Sequence, residues 1–213
     1  MIELFATAEA IERNAELLTG CEVAEISAKD AAALSETVTP QGLVAVCELH
    51  QPSANEVLGR GPKLIVVLVE PNEPGNLGAI IRTADAAGAD AVILDGGADP
   101  YNGKAVRASA GSIFHVPVVS CATEEFLAGA HHAGMTALAT TGYAVADLDA
   151  LVDDGTLARP TAWLFGSEAH GLPDSVREAA DLEVRIPIHG RAESLNLAAA
   201  AAVCLYASAR AQR

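Results

Sequence analysis

From Leu64 onward short apolar runs alternate with segments of helical spacing, and this alternation limits the fold more than any other feature of the chain. Strands are predicted at Leu64 to Val69, Ala91 to Leu94, Val116 to Val119, Met135 to Ala139, Thr161 to Phe165 and Leu182 to Ile186. Helices are predicted at Leu77 to Ala87, Lys104 to Ala110, Thr123 to Ala133 and Asp174 to Ala179, with an alanine-rich helix from Leu195 to Ala209. Such alternation predicts an α/β fold, a mostly parallel sheet with helices on both faces. Ligands on such sheets collect at the carboxyl ends of the strands.

The first fifty residues read as helix, strand, helix, strand. Thr7 to Leu18 and Ser27 to about Ser35 are helical, the second opened by a Ser-x-x-Asp capping pattern at Ser27 and Asp30. Glu22 to Ile26 and Leu43 to Leu49 are the strands, the latter after a turn at Thr39 to Gly42. A polar stretch from His50 to Pro62, with two prolines and two glycines, marks a boundary. We therefore divide the chain into a small α/β domain, residues 1–58, and a larger one, residues 59–213. Between Ala139 and Arg159 the pattern is less regular, and the acidic run Asp147 to Asp154 reads as solvated surface.

No apolar run reaches membrane-spanning length and the N-terminus lacks the pattern of an export signal, so a cytoplasmic protein is expected. The four cysteines, Cys21, Cys47, Cys121 and Cys204, are far apart and read as free, mostly buried thiols. The formal charge of −15 argues against a surface that grips nucleic acid everywhere. Five of the thirteen basic residues, Arg60, Lys63, Arg82, Lys104 and Arg107, nevertheless share one stretch, so a local basic patch is compatible with an acidic remainder. The six histidines show no metal-ligand spacing, and no metal site is expected.

Three predicted strand ends carry turns rich in polar residues: Glu70-Pro-Asn-Glu-Pro-Gly-Asn-Leu-Gly-Ala-Ile-Ile-Arg82, Leu164-Phe-Gly-Ser-Glu-Ala-His-Gly-Leu-Pro173 and Ile186-Pro-Ile-His-Gly-Arg-Ala-Glu-Ser-Leu-Asn196. Each has a purely structural reading. Asn76 and Ser194 are good helix N-caps, which leaves Asn196 in a first helical turn and Arg82 at the surface. The functional reading is that loops beside helix N-termini offer free backbone groups to a polar ligand. The glycines do not form a dinucleotide fingerprint or a P-loop, and Gly166 to Gly171 is not a nucleophile elbow.

In this order and spacing the three turns resemble the signature motifs of the SpoU/TrmH family of RNA ribose methyltransferases, in the SPOUT superfamily. The resemblance covers Leu64 to about Ala209. It implies transfer of a methyl group from S-adenosylmethionine to a ribose 2′-hydroxyl of ribosomal or transfer RNA, and a C-terminal trefoil knot holding the cofactor. It implies cofactor contacts, mainly through the backbone, at Thr140, Thr141, Gly142, Gly166, Ile186, Ile188, Ser194 and Leu195. Glycine at positions 142 and 166 suits close backbone approach. Arg82 is implied as the residue acting on the hydroxyl or a neighbouring phosphate; always protonated, it acts electrostatically. Glu168 is expected to hold Asn76 or Arg82, and Ser194 and Asn196 to bind the ribose or order the loop.

The pattern departs from the family at Glu73, where aspartate is commoner, and at Ser167, where asparagine is frequent. Family members are homodimers, and the small-residue terminal helix suits close packing between copies. Thr37-Val-Thr-Pro-Gln-Gly-Leu-Val-Ala-Val46 resembles the later half of a ribosomal-protein-like RNA-binding domain, so residues 1–58 are expected to be a shortened form of it. The alternative function is a catalytically inactive RNA-binding member of the same fold.

Overall fold

The structure is a computed structural model that describes residues 1–213 apart from Glu36, Val38 and His50. Compact packing divides the chain into Met1–His50 and Gln51–Arg213. The smaller unit contains β1 (Glu3–Ala6), α1 (Ala8–Arg13), β2 (Ala24–Glu25), α2 (Ala28–Leu34) and β3 (Leu43–Val46). Its sheet has the order β2-β1-β3, with β1 parallel to β2 and antiparallel to β3. The central strand β1 is absent from the sequence reading. It spans four residues of which only Leu4 and Ala6 are buried, too short a signal for period-two alternation to register.

Two further predictions need adjusting here. α1 ends at Arg13 rather than Leu18, and α2 is opened by Ser27, whose Oγ accepts the Asp30 N–H at 3.1 Å. The Asp30 carboxylate takes the Ser27 hydroxyl at 2.6 Å, in place of the reciprocal backbone bond of a full capping box. The stretch from Thr37 to Val46 that carries the resemblance includes Val38, which lies outside the described residues, as does the histidine at position 50.

The larger unit begins with α3 (Ala54–Leu58), opened by a Ser53–Glu56 capping box. Val57 is buried with Phe126 and Leu127 in the larger core, which is why the division falls after residue 50 and not after 58. There follow β4 (Leu64–Val69), α4 (Pro74–Ala87), β5 (Ala91–Asp95), α5 (Gly103–Ser109), β6 (Val118–Ser120), α6 (Thr123–His132) and β7 (Thr136–Thr140). Then come β8 (Ala146–Asp147), α7 (Leu148–Asp153), β9 (Thr161–Phe165), α8 (Asp174–Ala179), β10 (Leu182–Arg185) and α9 (Leu197–Ala211). The stretch expected to be irregular thus holds β8 and α7. Asp147 opens α7 by accepting the Ala150 N–H at 3.0 Å, and Leu148 and Leu151 are buried beneath the acidic surface.

Seven strands form one sheet in the order β6-β5-β4-β9-β7-β10-β8, and every neighbouring pair is parallel. β4 and β9 lie at its centre, in register Val66 to Trp163. Alternate residues point to opposite faces. Val66, Leu68 and Trp163 pack with Leu77, Ile80 and Ile81 of α4 and Cys204 and Leu205 of α9. Ile65, Val67 and Leu164 pack on the other face with Phe126 and Leu127 of α6 and Val176 of α8. The wholly buried Trp163 keeps its one polar group satisfied, Nε1 donating to Ser208 Oγ of α9 at 2.8 Å.

Three helix details bear on the site. α4 starts at Pro74, not Leu77, because proline suits a first helical position and the Glu73 carboxylate accepts the Gly75 N–H at 3.1 Å. Asn76 is consequently inside the first turn and is not the cap. α4 and α5 touch so closely that a Cβ on Gly78 would lie 2.3 Å from the Ala105 carbonyl oxygen. α9 is capped by Asn196, whose Oδ1 accepts the Ala198 N–H at 2.9 Å, so Ser194 lies outside the helix. Of the cysteines only Cys204 is buried, its thiol pushed up by that burial; Cys21 and Cys47 are exposed, against expectation.

Candidate active site

β7, β9 and β10 are neighbours in the parallel sheet, so the loops leaving their carboxyl ends converge. Together they enclose a cleft of about 730 Å³. All eight residues predicted to bind a cofactor line it: Thr140, Thr141, Gly142, Gly166, Ile186, Ile188, Ser194 and Leu195. Glu168 and Asn196 line it too, whereas Asn76 and Arg82 stand outside. Sequence reasoning missed Tyr143, His170, Arg177 and Glu193 in the wall and the buried Phe165, Leu172 and Val184. Phe165 and Tyr143 were within reach of the reading, since they adjoin Gly166 and Gly142, and Val184 lies two residues before Ile186.

The loop after β9 is a tight turn. Gly171 N–H donates to Ser167 O at 2.9 Å, and His170 N–H to Ser167 Oγ at 3.3 Å. A Cβ on Gly166 would fall 2.0 Å from the Gly171 carbonyl carbon. The turn itself therefore requires glycine there, independently of any ligand. Gly142 is different, with nothing within 4 Å of a Cβ at that position.

The loop after β10 has the opposite character. From Pro187 to Leu195 no backbone group is hydrogen-bonded to any described residue. Its peptide groups are open to solvent, to a ligand or to another chain. Ile188 and Leu195 are each more than a third exposed.

One chain of hydrogen bonds joins the three motifs. Asn76 Nδ2 donates to Glu168 Oε1 at 2.7 Å, and Asn196 Nδ2 donates to Asn76 Oδ1 at 3.1 Å. Asn196 Oδ1 accepts from the start of α9, so both amide orientations are set by their partners. Glu168 holds Asn76, not Arg82. Partial burial pushes the Glu168 carboxyl up, but bonds from Asn76, its own backbone and those of Asn72 and Glu73 outweigh this and leave it below its ordinary value. A carboxylate in that setting stays ionised at neutral pH.

Arg82 is exposed on α4 and makes no hydrogen bond or ion pair with a described residue. Glu73 is engaged by Lys104 Nζ at 2.5 Å, which holds its carboxyl below the ordinary range. The cleft suits a nucleoside-sized cofactor: its volume is in the range of small-molecule sites, its floor is apolar, and the unpaired backbone of residues 187–195 supplies polar groups. Among the described residues no group of three or more His, Cys, Asp or Glu could hold a metal ion, and no helix is long and apolar enough to cross a membrane.

Fold and cleft together define a SPOUT-type methyltransferase domain. The profile of the SpoU rRNA Methylase family matches residues 63–206, and the chain belongs to that family. A Bacillus subtilis relative named 23S rRNA (guanosine(2553)-2'-O)-methyltransferase RlmP is 38% identical over 90% of this chain and 74% of its own length. A Streptomyces viridochromogenes 23S rRNA (uridine(2479)-2'-O)-methyltransferase is 36% identical over 80% of this chain and 61% of its own. The crystal structure of the SpoU methyltransferase AviRb from Streptomyces viridochromogenes with AdoMet superposes with a TM-score of 0.83 at 32% identity, covering 98% of this chain and 81% of that one.

Proposed function

We propose that the chain transfers the methyl group of S-adenosylmethionine to a ribose 2′-hydroxyl of ribosomal RNA. The observation that carries this is the Glu168–Asn76–Asn196 chain, which ties all three motifs to the rim of one cleft. Membership of the SpoU family and the activities for which the two relatives are named support the same reading.

S-adenosylmethionine supplies an electrophilic sulfonium methyl group when bound. The residues predicted for the cofactor, Thr140, Thr141, Gly142, Gly166, Ile186, Ile188, Ser194 and Leu195, hold it in the cleft. Asn76 is kept oriented by Glu168 and Asn196 and positions the ribose. Arg82, unpaired with any described acid, engages the 2′-hydroxyl or the adjoining phosphate and favours loss of the hydroxyl proton to solvent as the methyl passes from sulfur to oxygen. Bringing these groups together also supplies the orientation that a weak nucleophile needs.

We further propose a homodimer formed through α9 and the loop before it. Val203 and Tyr206 are exposed at 42% and 51%, and Ile188 and Leu195 extend the same apolar surface. We also propose, from membership of the family, the C-terminal trefoil knot that the family implies. The unit Met1–His50 takes the substrate-side role of the ribosomal-protein-like domain, and the work is done in the cytoplasm, beside the ribosomal RNA.

Tritium-methyl transfer from labelled S-adenosylmethionine to total ribosomal RNA, followed by nuclease digestion, tests the reading. Label in a 2′-O-methylated nucleotide is the expected result. Cofactor binding without transfer to ribosomal or transfer RNA would replace it with the inactive RNA-binding function.

A further inference from the structure

At the far end of the larger unit, Gln212 Nε2 donates to the carbonyl oxygens of Lys63 at 3.1 Å and Arg159 at 2.9 Å. That clasp draws the end of α9 onto the starts of β4 and β9. Arg210 precedes Gln212 by two residues, and Arg60 precedes Lys63 by three. Four exposed cations therefore gather at one edge, Arg60, Lys63, Arg159 and Arg210.

None of the four has an ion pair or a side-chain hydrogen bond with a described residue. Lys104, Arg177 and Arg185 of the same unit, by contrast, are each paired, with Glu73, Glu183 and Asp147. The acids near the clasp are occupied otherwise. Asp90 accepts the backbone N–H groups of Lys63 and Leu64, and Asp154 is bonded chiefly by Thr156, with Arg159 a weak electrostatic neighbour. Arg82, Arg107 and Arg191 likewise have no ion pair or side-chain hydrogen bond with a described residue, so what marks these four cations in a chain of charge −15 is that they gather beside one clasp. Met1–His50 holds nine acidic residues against Arg13 and Lys29 alone, so phosphate contacts are expected mainly from the larger unit.

We infer that Arg60, Lys63, Arg159 and Arg210 form a phosphate-binding surface for the RNA backbone, at the end of the sheet opposite the cleft. The inference rests on the proposed function for its choice of RNA. β4 and β9 are parallel and central, so the patch and the cleft are separated by a strand length, about 20 Å. The surface anchors a part of the RNA remote from the methylated ribose, and sequence is read elsewhere.

The test compares the full chain with the variant Lys63→Gln, Arg159→Gln, Arg210→Gln, measuring ribosomal RNA affinity across a salt series beside transfer kinetics. The slope of log affinity against log salt falls by about 2 to 3 and KM for RNA rises about tenfold or more, while kcat and S-adenosylmethionine affinity stay at wild-type values. If the triple variant melts early, Lys63→Gln and Arg210→Gln singly each lower the slope by about 1. A wild-type slope and KM in folded variants overturns the patch, even if an acidic protein is found to bind there. Failure of the wild-type chain to methylate any RNA overturns the proposed function instead, and the salt slopes still decide the patch.

Discussion

Asn196 Nδ2 lies 3.1 Å from Asn76 Oδ1, a bond between residues 120 positions apart in the chain. Asn196 also caps α9 and Asn76 sits in the first turn of α4, so the bond fixes two helix starts against each other. Asn76→Ala should break the link to both Glu168 and Asn196. A methyl-transfer rate lower by about 100-fold is expected, of the order found when one oriented donor is removed. Thermal stability should change little, because the bonded groups are solvent-exposed.

Arg82 stands outside the cleft and makes no hydrogen bond or ion pair with a described residue. Arg82→Ala should abolish methyl transfer and leave S-adenosylmethionine affinity near wild type. Calorimetric titration of the variant beside a transfer assay checks it, and an equal loss of both would move the arginine into the cofactor site.

A Cβ at residue 166 meets the Gly171 backbone, which cannot swing aside as a flexible side chain can. Gly166→Ala should cost about 1–3 kcal/mol in urea unfolding and weaken cofactor binding by displacing the turn. Gly142→Ala has open space and should unfold like the wild type. Any loss of cofactor affinity in that variant would then report a close approach of ligand to backbone at residue 142.

Ser208→Ala should leave Trp163 Nε1 buried without an acceptor, at a cost of about 1–3 kcal/mol. In a Trp163→Phe background the same change should be nearly neutral. Equal costs in both backgrounds, read from denaturant midpoints, would remove the bond from the account.

Glu168 has a folded pKa below its ordinary 4.5, so folding favours its charged form. The stabilisation this gives is complete above pH 4.5 and is lost as the pH falls through the lower folded value. The Asn76 contact should therefore persist across the neutral range. Equilibrium dialysis with S-adenosylmethionine should show affinity independent of Glu168 between about pH 5 and 8, with any wild-type loss tied to this residue appearing only below 4.5. Glu168→Gln would not show that acid limb.

The sheet was largely legible because most strands of the larger unit are buried apolar runs, and six of the seven lie within two residues of their predicted positions; β8, two half-buried residues ending in Asp147, was not foreseen. Helix starts were less so. Asn76 and Ser194 are better generic caps than Glu73, yet the proline at 74 moved one start forward, and the bond Asn196 makes to Asn76 favours capping from position 196. A pairing across 120 residues has no local trace. β1 and α7 escaped for the same reason, since their identity comes from partners: β3 and β2 on either side of one, and the buried faces of Leu148 and Leu151 in the other. The cleft-lining residues that were anticipated lie beside turns with recognisable chemistry. Tyr143, directly after Gly142, shares that position, but Arg177 does not, and only the folded sheet brings it there.

The loop without internal backbone bonds has a consequence for spectroscopy and mass spectrometry. Amide protons from Ile188 to Leu195 have no acceptor within the described chain, so in the free protein they trade with deuterated solvent at close to the rate of an unstructured peptide. Whatever settles on this segment, a small molecule or a second copy, slows that trade. The protein thus contains its own occupancy gauge, confined to eight successive residues and readable without a label or a substitution.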